Sequence, residues 1–199
     1  MELFEMKVRV TFIEEVLGTA SADPNIHSEY IASKSPDAAS LEEEVAAVGV
    51  EEVTANKMTV FPRNADGDPI FFDYQWRGFF KEACGMLRNV EGSKSSKVKA
   101  YKKKIDGLIF VKERQIPIIL AGGMGDCQRS LRADTPQGSR IALSHSETCP
   151  AGSTCEFTVQ CFVEKDLDMV REWLDYGAVH GTGQWRNSGK GKFTWEELK

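Results

Sequence analysis

The chain has 199 residues, of which 41% are hydrophobic and 28% charged, with 25 Lys and Arg against 30 Asp and Glu for a formal charge of -5. That length suffices for one domain with its own core, and the balance excludes collagen-like, wholly disordered and disulfide-scaffold proteins. No run approaches the ~18 apolar residues of a membrane helix and residues 1–7 lack the apolar stretch of a signal peptide, so a cytoplasmic protein with no membrane partner is expected.

Strict alternation over 6–12 puts Met6, Val8, Val10 and Phe12 on one face of a first strand, which ends in Gly18 and a polar stretch up to Pro24. Residues 24–54 read as an acidic helical insertion: Asp23 is a candidate cap, Pro24 suits a first helical position, and 41–48 is rich in Glu and Ala. A short strand at 58–61 and a turn at 64–69 follow. Helical spacing of Trp76, Phe79, Phe80, Ala83 and Leu87 predicts a helix over 74–87. A Gly/Ser/Lys linker at 91–96 leads into a short basic helix ending at Lys104, and the apolar runs 108–111 and 116–120 have the length of buried strands. After a break at Gly122-Gly123-Met124-Gly125 come an extended basic piece at 129–135, a strand around 141–143, a turn at 150–152 and an alternating strand at 155–163. Leu167, Val170, Trp173 and Leu174 mark an amphipathic helix over 167–176, and a strand-like segment at 192–195 follows. This order predicts an α+β domain with a largely antiparallel sheet.

Charge is segregated along the chain. Asp37, Glu42, Glu43, Glu44, Glu51 and Glu52 occur between 37 and 52 with no Lys or Arg. Residues 88–104 hold seven bases, Arg88, Lys94, Lys97, Lys99, Lys102, Lys103 and Lys104, against Glu91 alone, and 180–193 carries Arg186, Lys190 and Lys192 with no acid. The net charge therefore conceals two basic segments, each either an anion-binding surface or a solvated face. The run from Lys94 to Lys104, after its Gly/Ser hinge, suits a flexible arm that orders on RNA. Cys84, Cys127, Cys149, Cys155 and Cys161 include no Cys-x-x-Cys pair, which favours reduced, partly buried thiols over a zinc site. No metal or cofactor is expected.

Five glycines between Gly177 and Gly191 lie beside Arg and Lys after the last helix, where glycine lets backbone amides approach a phosphate. Composition leaves this loop open between nucleic-acid contact and a structural turn; it is not a nucleotide-binding fingerprint. The pattern Gly181-Thr182-Gly183-Gln184-Trp185-Arg186-Asn187-Ser188-Gly189-Lys190-Gly191-Lys192-Phe193 resembles the C-terminal glycine-rich loop of the RAMP superfamily of CRISPR-associated proteins. Asp66-Gly67-Asp68-Pro69-Ile70-Phe71 followed by Trp76-Arg77-Gly78-Phe79-Phe80-Lys81 is similar to that family's strand and basic helix, and Val8-Arg9-Val10-Thr11-Phe12 with Gly18 to its first strand and glycine. The resemblance implies a single domain over 1–199 on an RNA-recognition-motif-like (ferredoxin-like) antiparallel sheet, carrying the 24–54 insertion, most like the backbone-type subunit that coats guide RNA. One departure stands out: Phe72-Asp73-Tyr74-Gln75 replaces the family's Pro-Gly-Ser-Ser, and Asp73 puts negative charge where an anion would otherwise sit at the helix N-terminus.

The expected function is sequence-independent binding of single-stranded, guide-type RNA, with assembly side by side along it or with other CRISPR effector subunits. The candidate RNA-binding residues are Arg77, Lys81, Lys94, Lys97, Lys99, Lys102, Arg129, Arg132, Gly183, Gln184, Trp185, Arg186, Asn187, Ser188, Gly189 and Lys190. Trp185 offers either a stacking surface or core packing, and Arg186 a bidentate phosphate donor in a loop without opposing acids. Arg129 and Arg132 alternate with polar residues, as either an RNA-contacting edge or a surface strand. Two alternatives stand beside this: a phage-encoded decoy binding a CRISPR effector complex, and a RAMP-type processing endonuclease using His180 as general acid or base. Ser144-His145-Ser146 reads as a polar strand end, since no nucleophile elbow surrounds it. Neither Asp23 nor Asp66 lies in a convincing nuclease match, so no catalytic residue is assigned.

Overall fold

The computed structural model of the chain describes residues 2–21, 58–135 and 138–199, and side chains among these outside 131–143. The acidic helical insertion expected at 24–54 lies outside the described residues.

The chain opens with β1 (Phe4–Phe12), in which Met6, Val8, Val10 and Phe12 are at most 1% exposed, as their period-two spacing requires. Two short strands follow, β2 (Val16–Leu17) and β3 (Ala20–Ser21), then β4 (Met58–Val60) and β5 (Ile70–Phe72). Helix α1 (Asp73–Leu87) buries Trp76, Phe80, Ala83 and Cys84 along one stripe. A 3-10 turn at Lys94–Lys97 precedes α2 (Tyr101–Leu108), β6 (Ile109–Val111) and β7 (Gln115–Ile119). A long hairpin of β8 (Gly125–Thr135) and β9 (Gly138–Cys149) leads to β10 (Thr154–Cys161), α3 (Glu164–His180), a second 3-10 turn at Arg186–Ser188 and β11 (Phe193–Leu198).

The larger sheet has the order β11-β1-β10-β7-β5, with β6 also paired to β10, and all its pairings are antiparallel. Strands β6 and β7 are successive pieces of one lane along β10. Between them Lys112 N donates to Thr158 O (2.9 Å), while the Glu113 carboxylate accepts from Thr158 N (2.6 Å) and its hydroxyl (2.8 Å), so a side chain replaces the ladder there. Taken as β1-α1-β6/β7-β10-α3-β11, the core is a βαββαβ motif whose fourth, first, third and second strands lie side by side: the ferredoxin-like, RNA-recognition-type arrangement that the family resemblance implies. The smaller sheet, β2-β9-β4-β3 with β8 on β9, grows from the hairpin inserted between the second and third strands of that motif.

Helices α1 and α3 cover one face of the larger sheet. The Trp76 ring is surrounded by those of Phe71, Phe79, Phe157 and Phe193, with centroids 4.5–6.0 Å away, so one indole links α1, β5, β10 and β11. Cys84, Cys149, Cys155 and Cys161 are buried and unpaired, as small hydrophobes; burial pushes the Cys149 thiol up to about 12. No described helix is long and apolar enough to cross a membrane.

One expectation needs correction. The segment from Lys94 is not a free arm. Ser95 is fully buried, accepting from the Trp173 indole (2.9 Å) and donating to Glu172 (2.6 Å), which also accepts from the amides of Lys94 and Ser95. A buried indole N–H needs an acceptor, and meeting that need fastens the 3-10 turn to α3.

Candidate nucleic-acid interface

Two of the sequence motifs and the segment just after Gly18 converge on one cleft of about 480 Å³. Its walls are the β2–β3 turn (Thr19, Ala20, Ser21), Pro62 and Phe71, a stripe of α1 (Tyr74, Gln75, Gly78, Phe79, Glu82), and Thr182, Gly183 and Arg186 of the glycine-rich loop. Residues 75, 78, 79 and 82 share a helix face by their spacing, so α1 presents its Trp76 stripe to the sheet and this stripe to the cleft. Gln75 joins two walls: its Oε1 accepts from Phe72 N (2.7 Å) and its Nε2 donates to the Thr19 hydroxyl (2.8 Å). Gly18 holds the turn in place by contact, since a Cβ there would come within 2.4 Å of the Val60 carbonyl carbon.

The glycine-rich loop folds on itself before it meets anything else. Thr182 N donates to Gly191 O (2.9 Å) and Gly191 N to Glu15 O (2.8 Å), and a Cβ on Gly191 would lie 1.9 Å from Thr182 O at a φ of +71°. Gly191 is therefore explained by loop closure. Gln184 donates to Gly18 O (2.9 Å) and accepts from Arg129 of β8 (3.3 Å). Trp185 adopts a φ of +57°, a left-handed conformation rare for a bulky side chain. It is 37% exposed with the Arg129 guanidinium 4.9 Å from its ring centroid. Its core-packing alternative thus falls away, and the ring is a surface platform beside the cleft.

The expectation that Arg186 meets no opposing acid is overturned. Glu82 of α1 forms an ion pair with Arg186, and Glu15 pairs with Lys190. The local charge count was right but the acids arrive from other elements. Glu82 Oε1 also lies 3.0 Å from His180 Nε2, to which Arg186 Nη1 comes within 3.3 Å, and the His180 ring stacks on Tyr176 at 4.9 Å. The carboxylate only accepts and the guanidinium only donates, so the one imidazole nitrogen between them serves either Glu82 or Arg186, according to its tautomer. Burial pushes the Glu82 carboxyl up, but hydrogen bonds from Arg186 and His180 outweigh it and hold it below the ordinary glutamate range.

The other sequence candidates fall elsewhere. Arg77 pairs with Asp73 (2.9 Å) and Lys81 with Asp106 (2.6 Å), and neither lines the cleft. Asp73, the first residue of α1 and also paired with Arg114, puts the chain's own carboxylate at the helix N-terminus. Asn187 and Ser188 are exposed on the 3-10 turn, with Gly189 at its end in the left-handed region. Lys94, Lys97 and Lys99 border a second concavity with Lys104, Lys165, Asp166 and Asp168. Counted along α3, Asp168 is twelve residues, about 18 Å, from His180. Lys94 lies 3.9 Å from Asp168, whereas Lys97, Lys99 and Lys102 are exposed and make no ion pair among the described residues. Arg132 stands opposite Ile141 in the hairpin register; its side chain lies outside those described. Sequence reasoning missed Thr19, Ser21, Gln75, Glu82 and Thr182. The spacing of Gln75, Gly78 and Glu82 on one face of α1 was the available signal.

No family model matches this chain, and no curated protein matches it. Solved structures do. A chain in the cryo-EM structure of the Type III-B Cmr-beta bound to cognate target RNA superposes with a TM-score of 0.56 at 8% identity. The match covers 100% of this chain and 60% of that one, so the present chain spans less than two thirds of its neighbour's length. A chain of a Type IV-B CRISPR complex gives a TM-score of 0.49 at 13% identity, covering 98% of this chain and 90% of that one. At 8% identity the Type III-B likeness is one of fold: the chain has an α+β, ferredoxin-like architecture with a cleft between α1 and the loop after α3.

Proposed function

We propose that this chain is a RAMP-like, CRISPR-associated subunit that binds single-stranded, guide-type RNA mainly through its backbone. The observation that carries the reading is the convergence of α1, the β2–β3 turn and the glycine-rich loop into one cleft holding Arg186, on a fold similar to a chain of an RNA-bound Type III-B assembly. Thr19, Ser21, Gln75 and Thr182 supply polar groups for sugar and phosphate, Arg186 a bidentate donor, and Trp185 a surface on which a base stacks. Such contacts read backbone rather than base edges, so binding is largely sequence-independent and falls with salt. A single RAMP-like domain packing side by side along RNA, or against other effector subunits, completes the reading.

The test is to purify the protein from its host, sequence the co-purifying nucleic acid and weigh the complex by native mass spectrometry with and without RNA. Short RNA of uniform length carrying several protein copies is the expected result. A nucleic-acid-free protein that captures effector subunits would instead support the decoy. A second reading rests on the His180–Glu82 pair at the cleft wall, a dyad able to move a proton during RNA processing. Cleavage of RNA that disappears in His180→Ala would favour it.

A further inference from the structure

Within the cleft Glu82 is the one acid and Arg186 the one base among the lining residues, and they are paired with each other. The cleft's own formal charge therefore cancels. Planar guanidinium matches carboxylate and phosphate with the same fork of donors, so Glu82 and an RNA phosphate compete for one partner. The pair is about one-third exposed, 30% for Arg186 and 35% for Glu82, so separating it does not strand either charge in a dry interior. Glu82 also keeps a donor when Arg186 leaves, because His180 Nε2 lies 3.0 Å away and is held by Tyr176.

Resting on the RNA-binding reading above, we infer that Glu82 is an internal stand-in for the phosphate, occupying Arg186 in the free protein and yielding it only to RNA. Glu82 is thus a specificity-determining residue. An isolated anion has nothing to offset the displaced pair, whereas a polyanion that also engages Thr19, Gln75 and the loop does. Exchange also predicts an unusual salt dependence: Arg186 leaves the Glu82 carboxylate for an RNA phosphate, and the cation it displaces from the RNA is offset by one drawn to the freed Glu82, so this contact adds no net counterion release.

Glu82→Gln tests this, since an amide still accepts from Arg186 and His180 while the negative charge is gone. Binding of a labelled 20-nucleotide single-stranded RNA is followed by fluorescence anisotropy from 50 to 300 mM salt. Wild type is expected to bind, and Glu82→Gln to bind about two- to fivefold more tightly. Its log K against log[salt] should be steeper by about 0.7, one further phosphate contact on a single strand. In an Arg186→Ala background the gain should vanish. Wild-type binding with Glu82→Gln equal or weaker, or with an unchanged slope, overturns the stand-in role and leaves the RNA reading intact. Absence of binding by both wild type and Glu82→Gln overturns both.

Discussion

The open face of the six-stranded sheet and the cleft beside α1 both gather charge, but they hold it differently. On β1 every charged side chain of that face is matched by a neighbour. Arg9 pairs with Glu156 (2.7 Å) and Glu196 (3.0 Å), Lys7 with Glu156 (3.2 Å), and Glu5 with Lys112 (3.1 Å) while accepting from Gln160 (2.6 Å). Hydrogen bonds from Arg9 and Lys7 hold Glu156 below the ordinary carboxylate range. An RNA-recognition sheet stacks bases on aromatic side chains here, whereas β10 presents Thr154, Glu156, Thr158 and Gln160. In the cleft a single exchangeable pair sits in a concave wall with uncharged donors and a surface indole nearby. The same fold thus offers two surfaces, and on the central strands β1 and β10 the charges of the sheet face are already paired.

The largest effect tests whether the two regions share one core. Trp76→Ala should cost about 3–5 kcal/mol in urea denaturation, because its ring contacts α1, β5, β10 and β11 at once. Separate transitions for sheet and cleft would break that link. Next, Arg186→Ala should weaken binding of single-stranded RNA by about 1–3 kcal/mol, while Arg9→Ala leaves the affinity unchanged. The reverse pattern would move the interface to the sheet.

A smaller effect asks whether RNA runs from the cleft to the far end of α3. If the exposed Lys97 and Lys99 each meet a phosphate, replacing both by Ala should reduce the salt slope by about 0.7 per contact; an unchanged slope removes that end from the RNA path. The smallest concerns acid. The Glu82 carboxyl is held below its ordinary value of 4.5, so its contribution to stability is full above that value and is lost as pH falls through the lower native one. Melting temperatures from pH 7 to 3 should fall less steeply for Glu82→Gln than for wild type, and parallel curves would show that the pair does not brace the loop. With a third of its surface in water, solvent screening keeps this difference small.

Much of the fold was legible because its signals are local. Alternation in 6–12, the aromatic stripe of α1 and the apolar spacing of α3 each follow from a periodicity that burial on one face imposes. Legibility ended where pairing is long-range. The lane of β6 and β7 interrupted at Glu113, and the anchoring of Ser95 by Trp173 and Glu172, depend on residues 45 and 77–78 positions apart. The cleft follows the same rule. Its glycine-rich loop and Arg186 stood out in the sequence, while Glu82, 104 positions upstream, did not.

The opening charge of -5 was resolved by the sequence itself into an acidic segment at 37–52 and basic ones at 88–104 and 180–193. Sequence alone also determined the α+β class, the first strand's buried face and the place of the glycine-rich loop, because propensity and periodicity act over a few residues. Which of those bases remain available was decided only by the tertiary structure. Coulomb partners are chosen by distance in space rather than along the chain, so Lys104 and Lys190 are matched by acids, Arg186 is held by Glu82, and Lys97, Lys99 and Lys102 stay exposed.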